Sequence, residues 1–297
     1  MESLWFIREW RYANGVCVKT KFPAPGSFDA RPGTREYRRQ ARRAEKNNAD
    51  AMHELAAALN MNFRAGRDAH LLLTYDEAGM DMLVARAGTD EPDELLRAAK
   101  REMKNFIRRL SRRCAAAGVA LKYVIIASDR NGRTGEPERV HHHLVINTAA
   151  APFVPEKWPY GETMDRRLYA QHYGDLTDLA EYLIAQTRVV ETEKRYMPSR
   201  NLDKPRPKPA RVARNPEAEL RVPAGCRLIH RSESNPGRPQ RLRYWRPDAE
   251  EGDDAGLQQK NGPVSSAGGE AGGAAPVVPE GAAGRTGDRA GPCADGG

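Results

Sequence analysis

Cysteine is scarce and scattered in this 297-residue chain: Cys17, Cys114, Cys226 and Cys293 form no CxxC pair. That spacing argues against a zinc ribbon or a disulfide framework and fits a reducing cytoplasm. Long apolar runs are missing too, since no stretch approaches the ~20 residues of a membrane span. Met1 to Phe22 mixes apolar with charged residues throughout, so no secretory leader is expected. These absences predict a soluble, cytoplasmic protein with no membrane partner.

Positive charge is what the chain has in excess, and it is unevenly placed. The formal net charge is +8, yet residues 249–297 carry eight acidic and three basic side chains, leaving +13 on residues 1–248. A folded part that basic attracts a polyanion, and nucleic acid is the commonest one. The Gly/Ala/Pro-rich tail from Ala249 cannot build a core and is expected to be disordered.

Hydropathy patterning divides the rest. Leu4 to Phe22 is strand-like around Tyr12-Ala13-Asn14-Gly15, a hairpin signal. A Pro/Gly loop follows, then a helical pattern from Thr34 to about Leu59. The first half of that helix, Arg35 to Arg43, is heavily basic, and its second half carries an apolar stripe of Met52, Leu55, Ala56 and Leu59. His70 to Tyr75 reads as a strand closed by Asp76-Glu77-Ala78-Gly79. Glu91 to Gly118 is the strongest helix, with acidic residues in its first turn and an apolar side running from Leu95 to Leu110. Leu121 to Ser128 is the next strand. After a loop with Pro152, Pro155 and Pro159, a helix is expected from Leu176 to about Val189, with Tyr182 off its apolar stripe. Short strands are possible at Cys226–His230 and Leu242–Trp245. The order predicts an α+β fold, with helices against one face of a largely antiparallel sheet.

Three of the seven histidines begin an apolar β-branched run, Val140-His141-His142-His143-Leu144-Val145-Ile146-Asn147. On a strand, alternate side chains share a face, so His141 and His143 point one way and His142 the other. Two imidazoles fixed in this way can grip one metal ion. The bland competitor is a polar strand end, and His142 is read that way.

Three segments in order, Leu71-Leu72-Leu73-Thr74-Tyr75, His141-His142-His143-Leu144-Val145-Ile146-Asn147 and Leu179-Ala180-Glu181-Tyr182-Leu183, make the chain resemble the HUH-endonuclease superfamily. In particular it resembles the replication-associated proteins of phages and rolling-circle plasmids. Asn62-Phe63, and Ser199-Arg200-Asn201-Leu202 with Pro205, also look like the phage branch, so the resemblance covers roughly residues 35–247. It implies an HUH domain with a central antiparallel sheet flanked by helices, acting on single-stranded origin DNA in a bacterial host alongside the host helicase and polymerase. It also implies that Tyr182 attacks a phosphodiester, leaving a 5′-phosphotyrosyl link and a free 3′-hydroxyl. A tyrosine hydroxyl, with an ordinary pKa near ~10, is a weak nucleophile that must be aimed and helped. A divalent ion, Mn²⁺ or Mg²⁺, held by His141 and His143 would polarise the phosphate.

Two positions depart from the family pattern. Three residues after Tyr182, where many members place a lysine, stands Ala185; Arg188 or Lys194 could substitute. The third metal ligand that the family usually supplies has candidates in Asp129 and Ser128, with Asp129 the better ligand and equally a turn-former. Tyr173 and Tyr169 are fallback nucleophiles. Arg101, Lys104, Arg108 and Arg112 read as a DNA track, against the plainer reading of a solvated helix face. Trp158, Tyr160, Tyr244 and Trp245 could stack on bases or pack. The expected organisation is a hairpin and basic helix (1–65), an HUH domain (66–190), a basic extension (191–248) and the acidic tail (249–297). The alternatives are a mobilisation relaxase with the same chemistry, a non-catalytic DNA-binding regulator of the same fold, and a metal-dependent RNA-processing protein.

Overall fold

A computed structural model describes residues 4–24, 35–132, 134–168, 170, 172–187, 195–215, 217–233 and 239–247, with side chains in the first helix from residue 49 onward. The acidic tail, Tyr169, Arg188, Lys194 and the side chains of Arg35 to Arg43 lie outside the described residues.

The described residues are mixed α+β, with five helices and two five-stranded antiparallel sheets among them. The first sheet begins with the Asn-Gly hairpin: β1 (Trp5–Arg11) pairs with β2 (Val16–Pro23) across a turn in which Gly15 takes φ +83°. The sheet is completed from the far end of the chain by β8 (Arg211–Val212), β9 (Arg227–Arg231) and β10 (Gln240–Trp245), in the order β8-β1-β2-β10-β9. The hairpin and the C-terminal extension therefore share one sheet.

The second sheet has the order β6-β3-β5-β4-β7. At its centre is the histidine strand β5 (Pro137–Ile146), between β3 (Ala69–Thr74) and β4 (Tyr123–Arg130). Short β6 (Thr163–Asp165) and β7 (Met197–Pro198) close the edges. Ile126 and Leu72 flank His143, while Ser128 and Thr74 flank His141.

Helices cover both faces of this sheet, which corrects the expectation of one covered face. Helix α2 (Glu77–Ala87) and α3 (Pro92–Ala116) pack with Leu71, Leu73, Ile125, Ala127, Leu144 and Ile146. On the opposite face, the end of α1 (Arg35–Asn62) and α5 (Thr177–Ala185) pack with Val124, Ile126 and Val145. The apolar runs in β4 and β5 are continuous rather than alternating because both faces are buried. Each fully buried leucine or isoleucine there contributes about 1.5–3 kcal/mol. A one-turn α4 (Val154–Lys157) follows β5 and brings Trp158 into the α3 side of the core.

Asp76 to Gly79, expected to close a strand as a turn, instead opens α2. Asp76 caps that helix by accepting from the Gly79 N–H at 2.7 Å. Among the described residues, no helix is long and apolar enough to cross a membrane.

Candidate active site

His141 and His143 share one face of β5 because the strand alternates, and the structure keeps them together, with ring centroids 5.1 Å apart. His142 points into the α3 side, where it is fully buried and bonded to the Tyr75 hydroxyl at 2.9 Å. That burial pushes it down to about 3.

The Nδ1–H of His141 donates to the Arg139 carbonyl at 2.9 Å, which leaves Nε2 as the ring nitrogen open to another partner. His143 is held at both ring nitrogens, Nδ1 by His70 Nε2 at 3.1 Å and Nε2 by Gln186 Oε1 at 3.0 Å. Burial above all, then neighbouring His70, holds His143 down to about 3, and burial with Arg166 nearby holds His70 down to about 4. His143 and His70 are therefore neutral at physiological pH, as a metal ligand and its support must be.

Tyr182 lies on α5 with its ring edge-on to His143, centroids 5.9 Å apart at 83°, and it is 39% exposed. One helical turn on, Gln186 Nε2 donates to the Tyr182 carbonyl at 3.2 Å, which turns Oε1 toward His143. Ser128 Oγ donates to the Gln186 carbonyl at 3.0 Å. Gly132, in the turn between β4 and β5, makes this packing possible. A Cβ there would sit 2.5 Å from Tyr182 Cε2 and 2.8 Å from Gln186 Cδ.

His70, His141, His143, Gly132, Tyr182 and Gln186 line a cleft of about 980 Å³, together with Arg139, Arg166 and Arg167. Arg167 occupies the left-handed region at φ +53°, a strained conformation for arginine.

Among the described residues, no three His, Cys, Asp or Glu side chains form a group able to hold a metal ion, so Asp129 does not complete a triad with His141 and His143. Gln186 Oε1, an amide oxygen, accepts the Nε2–H of His143 at 3.0 Å, and an ion placed between the two atoms would displace that proton and take both as donors. The set that could hold an ion is thus His141, His143 and Gln186, a nitrogen–oxygen mixture suited to Mn²⁺ and compatible with Mg²⁺. His70 supports His143 from behind, donating or accepting according to tautomer.

The remaining sequence candidates lie elsewhere. Tyr173, at φ +49°, stacks on Trp245 with centroids 5.2 Å apart, in contact with the first sheet. Arg101, Lys104, Arg108 and Arg112 are exposed on α3, across the sheet from the histidine face, and none lines the histidine cleft. Trp158 and Tyr244 are buried packing residues, and the hydroxyl of Tyr160 bonds to buried Glu102. Sequence reasoning missed His70, Gln186 and the cleft arginines. The signals were present: His70 alternates with Leu72 on β3, and Gln186 lies four residues after Tyr182, on the same helical face. No protein-family model, curated protein or solved structure matches this chain.

Proposed function

We propose that this chain is an HUH-type nicking and joining enzyme that initiates rolling-circle replication, with Tyr182 as nucleophile toward single-stranded DNA. One observation carries the reading. Tyr182 stands over His143 in the cleft shared with His141, and Gln186 on the next turn touches both the tyrosine's carbonyl and the imidazole.

In this reading the Tyr182 hydroxyl oxygen attacks phosphorus. The phosphotyrosyl bond forms as the bond to the 3′-oxygen breaks, the phenolic proton leaves to solvent, and the 3′-oxygen takes one up. The partial exposure of Tyr182 admits both the strand and that water. A divalent ion held by His141, His143 and Gln186 would polarise the phosphate and offset charge on the leaving oxygen. His70, bonded to the far nitrogen of His143, fixes the orientation of that ring, so His143 meets the substrate in one geometry. Arg139, Arg166 and Arg167 attract the flanking phosphates, a role for cleft cations that exposed Ala185 cannot fill. Because the covalent link conserves the bond energy, a free 3′-hydroxyl can reverse the reaction and rejoin the strand. The order of histidines before tyrosine favours a replication initiator over a relaxase.

Incubation with Mn²⁺ and single-stranded DNA from the element's own origin tests the reading. Wild type should give a covalent protein–DNA band, and Tyr182→Phe should lose it while still binding DNA. A band that survives in Tyr182→Phe moves the nucleophile to Tyr173 or Tyr169. If no origin fragment or metal yields a band, the DNA-binding regulator that Ala185 favours replaces the enzyme.

A further inference from the structure

A second groove, of about 1590 Å³, lies beside the histidine cleft and is walled by α1, α3, α5, the first sheet and residues 195–205. Nine Lys and Arg side chains line it against three carboxylates, Glu54, Glu181 and Asp203. Between those charges stand three aromatic side chains, Trp10, Tyr12 and Tyr196. Scattered surface cations need no ligand to explain them. Cations converging on a groove with aromatic rings between them match what an unpaired polynucleotide offers, phosphates on one edge and bare base faces on the other.

The groove and the cleft share a wall. Thr177 and Glu181 of α5 line the groove, while Asp178 and Tyr182 of the same helix line the cleft. Arg243 of β10 ties the first sheet to this wall, 2.8 Å from Asp175 and 3.6 Å from Asp178. Asn14 of the hairpin turn donates to Asn60 of α1 at 2.6 Å, and Asn60 donates to Asp175 at 3.1 Å. The sheet that lines the groove is thus anchored to the start of the tyrosine helix through buried polar contacts. Arg101 and Lys104 line the groove; Arg108 and Arg112, further along α3, do not.

We infer that this groove is a stacking and phosphate track for the single strand that continues from the histidine cleft. The inference rests on the nicking reading of that cleft for the identity of the strand.

The test uses the full chain and a fluorescent oligodeoxythymidine of about 30 nucleotides, longer than one stacking platform holds. Arg101, Lys104 and Lys204 are exposed, so their combined replacement by glutamate preserves the fold. The triple variant should bind the single strand at least about tenfold more weakly, and the slope of log K against log salt should flatten by about 2, roughly 0.7 for each lost phosphate contact. Trp10→Phe should remove part of the tryptophan quenching that DNA produces in wild type. Unchanged affinity and slope overturn the inference, as does a larger loss for duplex than for single strand. If wild type forms no tyrosine adduct yet the triple variant still loses affinity, the nicking reading fails and the track stands. If wild type forms the adduct and the triple variant binds as wild type does, the track fails and the nicking reading stands.

Discussion

The two sheets of this protein are built to opposite rules. In the central sheet, β4 and β5 are buried along most of their length, and β5 carries three consecutive histidines into that interior. In the other sheet, β1 is mostly half-buried, β9 is largely exposed, and the core reduces to a small cluster around Cys17, Leu220, Leu242 and Tyr244. The difference decides what each can do. Burial strips His70, His142 and His143 of their protons and fixes their orientation, which suits ligands and supports. The half-wet sheet contributes the guanidinium groups of Arg241 and Arg243 to a groove, which suits a polyanion. Under the proposed function, chemistry belongs to the central, histidine-bearing sheet and holding to the other.

Stability should separate the sheets most sharply. Leu144→Ala, in the doubly covered strand, should cost about 3–5 kcal/mol, and Leu242→Ala, in the small core, about 2–3, measured by urea unfolding. Equal losses would break the comparison. Arg243→Ala removes one partner of the largely buried pair with Asp175 and should cost about 2–3 kcal/mol while also slowing adduct formation, because the pair anchors the tyrosine helix. Loss of stability alone, with adduct kinetics intact, would make the two sheets independent.

Gly132→Ala sharpens the account of the cleft. The new methyl group collides with Tyr182 and Gln186, so adduct formation should fall by about 10–100-fold, with only about 1 kcal/mol lost in unfolding. Gln186→Ala should weaken Mn²⁺ binding by about 10–100-fold, read by titration calorimetry, if its amide oxygen is a ligand.

The smallest effect is with pH. Burial holds His53 down to about 4 and His142 to about 3, so the folded state binds fewer protons than the unfolded state below the ordinary value of about 6.5. That stabilisation is fully present above about pH 6.5 and is lost as pH falls toward about 4. Urea midpoints should therefore drop between about pH 7 and pH 5, and His53→Gln should soften the drop.

Much of this was legible in the chain, and the limits have physical causes. The hairpin at Asn14-Gly15, the α3 helix, the histidine strand and the tyrosine helix all announce themselves through local turn chemistry and periodicity. The pairing of β2 with β10 leaves no local trace, because residues more than 200 positions apart meet only after the chain has collapsed. The second covered face was written in the unbroken apolar runs of Val124–Ala127 and Leu144–Ile146, which read equally well as a strand of either kind. Asp129 looked the better third ligand by charge; the contact with His143 that the sequence did not announce is that of Gln186, by way of a helix whose approach Gly132 permits. Arg101 and Lys104, read from the sequence as part of a DNA track, are exposed on α3, while the cleft's Arg166 and Arg167 were hidden in a segment with no periodic signal.

The most direct measurement of the central claim is to locate the covalent bond. Tyr182 shares one tryptic peptide, residues 168–188, with Tyr169 and Tyr173. After reaction with origin DNA, nuclease digestion and fragmentation by mass spectrometry, the account predicts a nucleotide mass on Tyr182. The same mass on Tyr173 or Tyr169, or on no tyrosine of a protein that has cut its DNA, would contradict it.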